Sequence, residues 1–175
     1  MVRLLFIGMW AVLLLGSSHL FAQQKNWTAV KTDIRFYIRN AGLEVEGKFD
    51  QVQGTFVSDE RNVPVLVVGT AKVKSIDTGI GLRDSHLQGK DYFNAAAFPE
   101  LRMQLLSVNE KTIKFNVTIK GKSKTYEMPY VFKVAQNQGQ FSVSFKVNRR
   151  DFGVGGSSLM LSDDLTVKIN LSLQS

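Results

Sequence analysis

The sequence of 175 residues contains no cysteine, only 3 prolines and only 2 histidines. Without thiols it has no disulfide, no thiolate metal site and no cysteine nucleophile, so an exported protein of this composition must be held together by its core alone. Beyond residue 22 the one histidine is His86, which excludes a histidine-rich metal centre. The prolines are scattered, and no Pro-, Ser- or Gly-rich linker divides the chain into two domains.

Long apolar runs are also missing, except at the N-terminus. Arg3 precedes an apolar run from Leu4 to Leu15, and small residues then lead to Ala22. The run is shorter than the roughly 20 residues needed to cross a bilayer, so it predicts a cleavable signal peptide over residues 1–22. An uncleaved anchor is the alternative. Residues 23–175 then form one domain, and the protein is expected to be periplasmic or secreted.

Acidic residues are in the minority, with 15 Asp and Glu against 22 Lys and Arg and a pI near 9.7. An excess of basic residues is typical of proteins that bind nucleic acid. The lysines, however, alternate along predicted strands, as Lys72 and Lys74 do, and this placement keeps the outside of a sheet solvated. We therefore expect no nucleic-acid partner, whereas transient contact with an anionic membrane surface is compatible with the charge.

Strict alternation of apolar and polar residues is the strongest pattern in the chain. It runs through Ile113 to Lys120, Gln140 to Val147 and Leu165 to Leu173. A period of two is typical of a strand with one wet and one dry face. When nearly all strands share this pattern, their apolar faces must meet in one interior. About eight or nine strands joined by short turns predict an all-β fold, an antiparallel up-and-down β-barrel of lipocalin-like size.

The alternation stops between residues 78 and 99, where the sequence favours a short helical insertion. Asp84 is placed to cap a first short helix, and Asp91 is placed to cap a second one that must end before Pro99.

Candidate catalytic residues are few. His86 lies close to Asp84 and is a candidate general base, but a histidine in such a position more often ties a loop by hydrogen bonds. Asp163 and Asp164 are adjacent in a strand, so their side chains point to opposite faces and cannot easily share a substrate. Residues 153–158 are glycine-rich but lack the lysine and helix of a phosphate loop, which favours a flexible loop. We predict no enzyme, no metal site and no cofactor.

A charged group follows the strand that ends near Asn148. Arg149, Arg150 and Asp151 are predicted to form a structural ion pair at the barrel rim, with contact to a ligand head group as the alternative.

Three blocks of the sequence resemble the YceI-like family. The first runs from Thr78 to Leu101 and contains Arg-Asp-x-His-Leu and Phe-Pro-x-Leu elements; the second is Val117 to Lys124; the third is Val147 to Val167, with Arg-x-Asp-Phe-Gly. Members of this family are secreted bacterial lipocalin-like barrels associated with polyisoprenoid binding, so the resemblance implies that fold and that ligand. The chain departs from the family at Thr32 and Asp33, where a His-Ser pair is common, and at Ser123, where Thr is usual.

The predicted function depends on whether the barrel interior is hollow or filled, since an eight-stranded barrel is just wide enough for either. An isoprenoid chain gains about 0.8 kcal/mol per buried CH₂, so a dry tunnel binds it without catalytic residues. We predict a lipid-binding protein that sequesters or carries an isoprenoid or similar amphiphilic lipid. The alternative is a stress-response or structural barrel with a packed interior. The candidate cavity-lining residues are Phe36, Ile38, Tyr92, Phe93, Phe98, Phe115, Tyr126, Met128, Phe132, Phe141, Val143 and Phe145.

The signal-peptide prediction is tested by N-terminal sequencing of the exported protein. We expect the mature chain to begin at Gln23, because the apolar run is too short to span a bilayer and Ala22 suits the cleavage site. An exported protein that retains Met1 would instead indicate an anchor.

Overall fold

The computed structural model of the protein describes residues 24–175, so the predicted signal peptide over residues 1–22 lies outside the described residues. The described chain forms ten antiparallel strands and one α-helix, α1, at Gly81–Gln88. Within it, no helix combines the length and apolar character needed to span a bilayer. The strands are β1 Lys25–Asn40, β2 Leu43–Phe49, β3 Val52–Ser58, β4 Pro64–Lys72, β5 Ile76–Asp77, β6 Glu100–Val108, β7 Thr112–Ile119, β8 Lys122–Ala135, β9 Gln138–Asn148 and β10 Leu161–Gln174.

Eight of these strands close into a barrel because β1 pairs with strands on both of its edges. One edge pairs with β10 and the other pairs with β3, so the circuit runs β1, β10, β9, β8, β7, β6, β4, β3 and back to β1. The short strands β2 and β5 extend the sheet beside the C-terminal half of β1. The predicted antiparallel barrel with a short helical insertion is therefore confirmed.

One side of the barrel interior, along β8 and the first half of β7, is packed solid; we call it the packed side. Phe115 and Ile113 have no exposed surface, and Met128 is 3% exposed. At the end of the barrel near the start of β1, the Trp27 ring meets Phe132 edge-on at 5.4 Å between centroids. Aromatic and aliphatic side chains thus fill this side and close this end.

The insertion between β5 and β6 contains one helix rather than two. The predicted cap at Asp84 is wrong, because Ile80 is the N-cap of α1 and Asp84 lies within the first turn. The Asp84 carboxylate instead accepts hydrogen bonds from the Thr78 N–H at 2.9 Å and from the Thr78 hydroxyl. The prediction of a second helix capped by Asp91 is wrong, because residues 89–99 form turns. Asn94 there has a φ of 53°, which an α-helix does not allow.

Arg149 is a buried cation that fastens the rim beside α1, with only 3% of its surface exposed. Its guanidinium donates to the carboxylate of Asp163 at 2.7 Å. Arg149 therefore has the predicted structural role, but its partner is Asp163 and not Asp151. The Asp151 carboxylate lies 3.7 Å from the Lys124 ammonium instead. Four backbone carbonyls also accept from the guanidinium, those of Val154, Gly156, Leu161 and Ser162.

These bonds also bear on two other predictions. Because Arg149 binds two of its carbonyls, the glycine-rich loop at residues 153–158 is fixed on one side instead of lying free. Asp164 accepts from the Asn148 amide at 2.8 Å, whereas Asp163 binds Arg149. The two carboxylates therefore serve different partners, as their adjacent positions in a strand predicted.

Arg149→Met should lower the free energy of unfolding by about 3 kcal/mol or more. The substitution leaves buried carbonyls without a hydrogen-bond donor and removes the partner of the Asp163 carboxylate. Arg150→Met is the matched control. Arg150 is half-exposed and lies 3.8 Å from Asp163, so its loss should cost at most about 1 kcal/mol. Chemical denaturation of both variants measures the difference, and equal losses would contradict the structural role of Arg149.

Candidate functional site

A cavity of about 630 Å³ occupies the side of the barrel that faces β1, β3, β4 and β10; we call it the hollow side. Its wall is mostly apolar, and many of the side chains in it are only partly buried. The barrel is therefore hollow on one side and packed on the other. Apolar side chains from β1 and β10 in the wall are Trp27, Ala29, Ile34, Phe36, Ile38, Leu161, Leu165, Val167, Ile169, Leu171 and Leu173.

The wall near α1 depends on a glycine. Gly47 pairs with Phe36 across β2 and β1, and a Cβ on residue 47 would lie 2.1 Å from the Phe36 ring. Gly47 therefore gives the ring room to lie across β2. The Phe36 ring then meets Phe49 at 5.9 Å between centroids, and Phe49 meets Phe93 at 6.3 Å. These rings form a continuous aromatic surface from β1 to the insertion.

The structure brings half of the predicted site residues together in the cavity wall. These six are Phe36, Ile38, Tyr92, Phe93, Phe141 and Phe145. Their contact with a ligand stays a prediction.

The other six predicted residues lie outside the wall. Tyr126, Met128 and Phe132 belong to β8, and among residues 24–175 no residue of this strand lines the cavity. The aromatic side chains of β8 pack against β9: Tyr126 meets Phe145 at 5.4 Å between centroids. The remaining three are Phe115 and Val143, both buried in the core cluster, and Phe98, whose ring covers Gly121.

Sequence reasoning missed the aliphatic half of the wall. Val167 and Ile169 alternate with polar residues along β10 and were recognisable as inward-facing. The predicted site consisted mainly of large aromatic residues and did not include Val167 or Ile169. β10 contains no aromatic residue, and its aliphatic side chains leave space beside the strand.

Two of the arginines in the cavity wall have side-chain partners close by. Arg83 of α1 donates to the hydroxyl of Thr78 at 2.7 Å and to its carbonyl at 2.6 Å. Arg35 forms ion pairs with Asp33 and Glu46, and these bonds raise the pKa of Arg35. The wall thus combines an apolar surface with the arginines Arg35, Arg83, Arg102 and Arg149.

The described residues offer little for acid or base chemistry. His86 is exposed on α1, and its imidazole forms no hydrogen bond within residues 24–175, so the expected loop tie is wrong. Burial raises the pKa of Tyr126, as does the charge of Asp151, and within the same residues its hydroxyl has no hydrogen-bond partner. Tyr126 nevertheless lies outside the cavity wall. Residues 24–175 also hold no group of three or more metal-ligating side chains.

Solved structures share this architecture. BcnA of Burkholderia cenocepacia superposes with a TM-score of 0.75 at 20% identity, covering 81% of this chain and 95% of that one. A polyisoprenoid binding domain from Saccharophagus degradans, implicated in plant cell wall breakdown, gives a TM-score of 0.70 at 12% identity over 88% and 99% of the two chains. At these identities the likeness shows the fold alone.

A family model, together with sequence relatives, identifies the family. UPF0312 protein plu2095 of Photorhabdus laumondii is 36% identical over 111 residues, which cover 62% of this chain and 58% of that protein. The chain spans about half the length of the curated relatives it matches. The family model described as a YceI-like domain matches residues 26–173. Because that match takes in nearly all of the described residues, the chain belongs to the YceI-like family.

Proposed function

We propose that the barrel binds one apolar-chain lipid of the isoprenoid class and sequesters or carries it without transforming it. The observation that supports this most directly is the cavity of about 630 Å³ with its apolar wall. Ligand pockets in proteins typically have volumes of roughly 300 to 1,000 Å³ and are lined mainly by apolar side chains. The Saccharophagus degradans domain with the same fold is described as polyisoprenoid-binding, which supports the choice of ligand class.

The apolar wall is sufficient to supply the affinity. Micromolar binding corresponds to about 8 kcal/mol, and each buried CH₂ contributes about 0.8 kcal/mol. Burial of about ten such groups reaches that value before the cost of ordering the chain is subtracted. A longer chain covers that cost, so no charged contact is required for binding.

The absence of catalysis is part of the proposal. Asp84 is hydrogen-bonded to Thr78, Asp163 binds Arg149, and His86 is exposed on α1. Within the described residues, these groups do not converge on one point of the cavity wall. A binding protein needs no such convergence, whereas an acid or base mechanism does.

We also propose that the protein acts in the periplasm or outside the cell, with transient contact to a membrane surface. The short apolar run before Ala22 supports export, and the excess of Lys and Arg over Asp and Glu supports attraction to anionic lipids.

A structural barrel without ligand is the second candidate. It requires a packed interior, and only the side along β8 meets that requirement. Partly buried apolar residues on the hollow side, such as Ile34 and Val167, leave apolar surface that a purely structural barrel would bury. The geometry therefore favours the lipid-binding function.

Val167→Trp tests the two candidates. Val167 lies in the cavity wall between Phe36 of β1 and Phe145 of β9. A tryptophan there should fill part of the cavity and weaken binding of a fluorescent apolar probe such as cis-parinaric acid by about tenfold or more, or about 1.4 kcal/mol. Asn170→Trp, at an exposed position of the same strand, should bind the probe like the parent protein.

Thermal melting of the same samples separates the outcomes. If the cavity has spare volume, Val167→Trp melts close to the parent protein while binding falls. If this side were solid, overpacking would cost about 1 to 3 kcal/mol. Destabilisation by Val167→Trp, together with no probe binding and no co-purified lipid in the parent protein, would reject the lipid-binding function.

A further inference from the structure

The wall on the hollow side is interrupted beside β1. At one end, β1 pairs with β2, as in Phe36 with Gly47; at the other end it pairs with β3, as in Trp27 with Phe56. The two pairs are nine positions apart on both sides, 27 to 36 and 47 to 56, so β2 and β3 lie along β1 in one continuous register. Between them, residues 28–34 of β1 and residues 49–55 form no ladder pairs with each other. We call this gap the slot.

Both margins of the slot are held from their outer sides. On β1, the pairing with β10 continues past the gap, with a bulge at Val30. On the other margin, the Asp50 N–H donates to the Ser75 carbonyl at 3.1 Å, and the Gln51 carbonyl accepts from the Lys72 N–H at 2.9 Å. Beyond these residues, β3 pairs with β4. Since each margin is anchored to a different neighbour, the slot is a feature of the fold.

The solvent-exposed side chains that line the cavity at the slot are small or uncharged. Six of these residues line the cavity and are also exposed to solvent, so the cavity opens at this place. None of the six is aromatic or charged. They are Thr28, Ala29, Thr32, Gln53, Gly54 and Thr55.

Gly54 keeps one margin thin. A Cβ on residue 54 would lie 2.6 Å from the carbonyl oxygen of Val68 on β4. Any larger residue would therefore have to displace backbone. Behind the slot, Ile34 and Leu171 continue the apolar wall.

The charged groups around the α1 end of the slot form ion pairs with one another. The carboxylates of Asp50 and Asp77 raise the pKa of Lys48, as expected for a paired cation. An apolar chain passing between the margins therefore meets no isolated charge in these groups. The ion pairs are Lys48 with Asp50 at 2.8 Å and with Asp77 at 3.3 Å, and Arg35 with Asp33 and with Glu46.

We propose that the slot is the portal through which the apolar chain of the ligand passes sideways into the cavity. The polar end of the ligand then remains at the margins, where the hydroxyls of Thr28, Thr32 and Thr55 and the backbone groups facing the gap offer hydrogen bonds. This inference rests on the proposed lipid-binding function and adds the route and the orientation of the ligand.

A reversible bridge across the slot tests the portal. Because the sequence has no cysteine, Thr32→Cys with Gln53→Cys places the only two thiols on opposite margins. A bis-methanethiosulfonate linker joins them, and a reductant releases them. The same variant capped with methyl methanethiosulfonate on each thiol controls for added bulk. Stopped-flow fluorescence of cis-parinaric acid measures the uptake rate.

The bridged protein should take up the probe about tenfold more slowly or worse, a change of about 1.4 kcal/mol in the barrier. The capped and reduced forms should keep the parent rate. Equal rates in bridged and capped protein would overturn the portal and indicate access at the α1 end, while leaving the lipid-binding function intact. A parent protein that never binds the probe would instead overturn the proposed function.

A second pair of variants decides the question if the double-cysteine protein fails to fold. Ala29 lines the cavity at the slot, whereas its neighbour Val30 does not line the cavity and is 62% exposed. Ala29→Trp should slow uptake about fivefold or more, while Val30→Trp should keep the parent rate. Equal uptake by the two tryptophan variants would overturn the portal.

Discussion

The pairing of β1 on both edges is the constraint on which the rest of the structure depends. β1 is 16 residues long, and β10 pairs along most of one edge. This pairing closes the barrel and removes the free edges that an open sheet would present. The other edge is shared by β2 and β3, which together act as one interrupted strand. Closure and interruption therefore involve the same strand, and the cavity lies directly behind the interruption.

The side chains of β7 and β8 fill the interior beside their strands, whereas those of β10 leave space. Phe115 on β7 and Tyr126 and Phe132 on β8 fill the space beside their own strands. β10 contributes aliphatic residues such as Val167 and Ile169, which extend less far into the interior. An eight-stranded barrel has room for either filling. Among residues 24–175 no residue of β8 lines the cavity, so the rings of this strand belong to the packed side.

Alternation in the sequence was enough to predict the barrel, because a period of two fixes which side chains face inward. It was not enough to predict the cavity wall. Met128 and Val167 face the interior alike, and only the three-dimensional position of neighbouring rings decides which of them borders free space. The bulge at Val30 and the slot lie in the register between strands, which no local pattern records. The turns after residue 89 depend on the left-handed backbone of Asn94, which capping rules did not anticipate.

Stability and binding are linked through the apolar surface that the fold leaves accessible. Residues such as Ile34 and Val167 are only partly buried, although they face the interior. Each square ångström of apolar surface removed from water contributes about 25 cal/mol. An apolar chain in the cavity would therefore bury apolar surface of the wall that the protein alone leaves exposed. A ligand that binds only the folded barrel also stabilises it by mass action. The packed side stabilises the fold independently of the cavity, because among residues 24–175 no residue of β8 borders it.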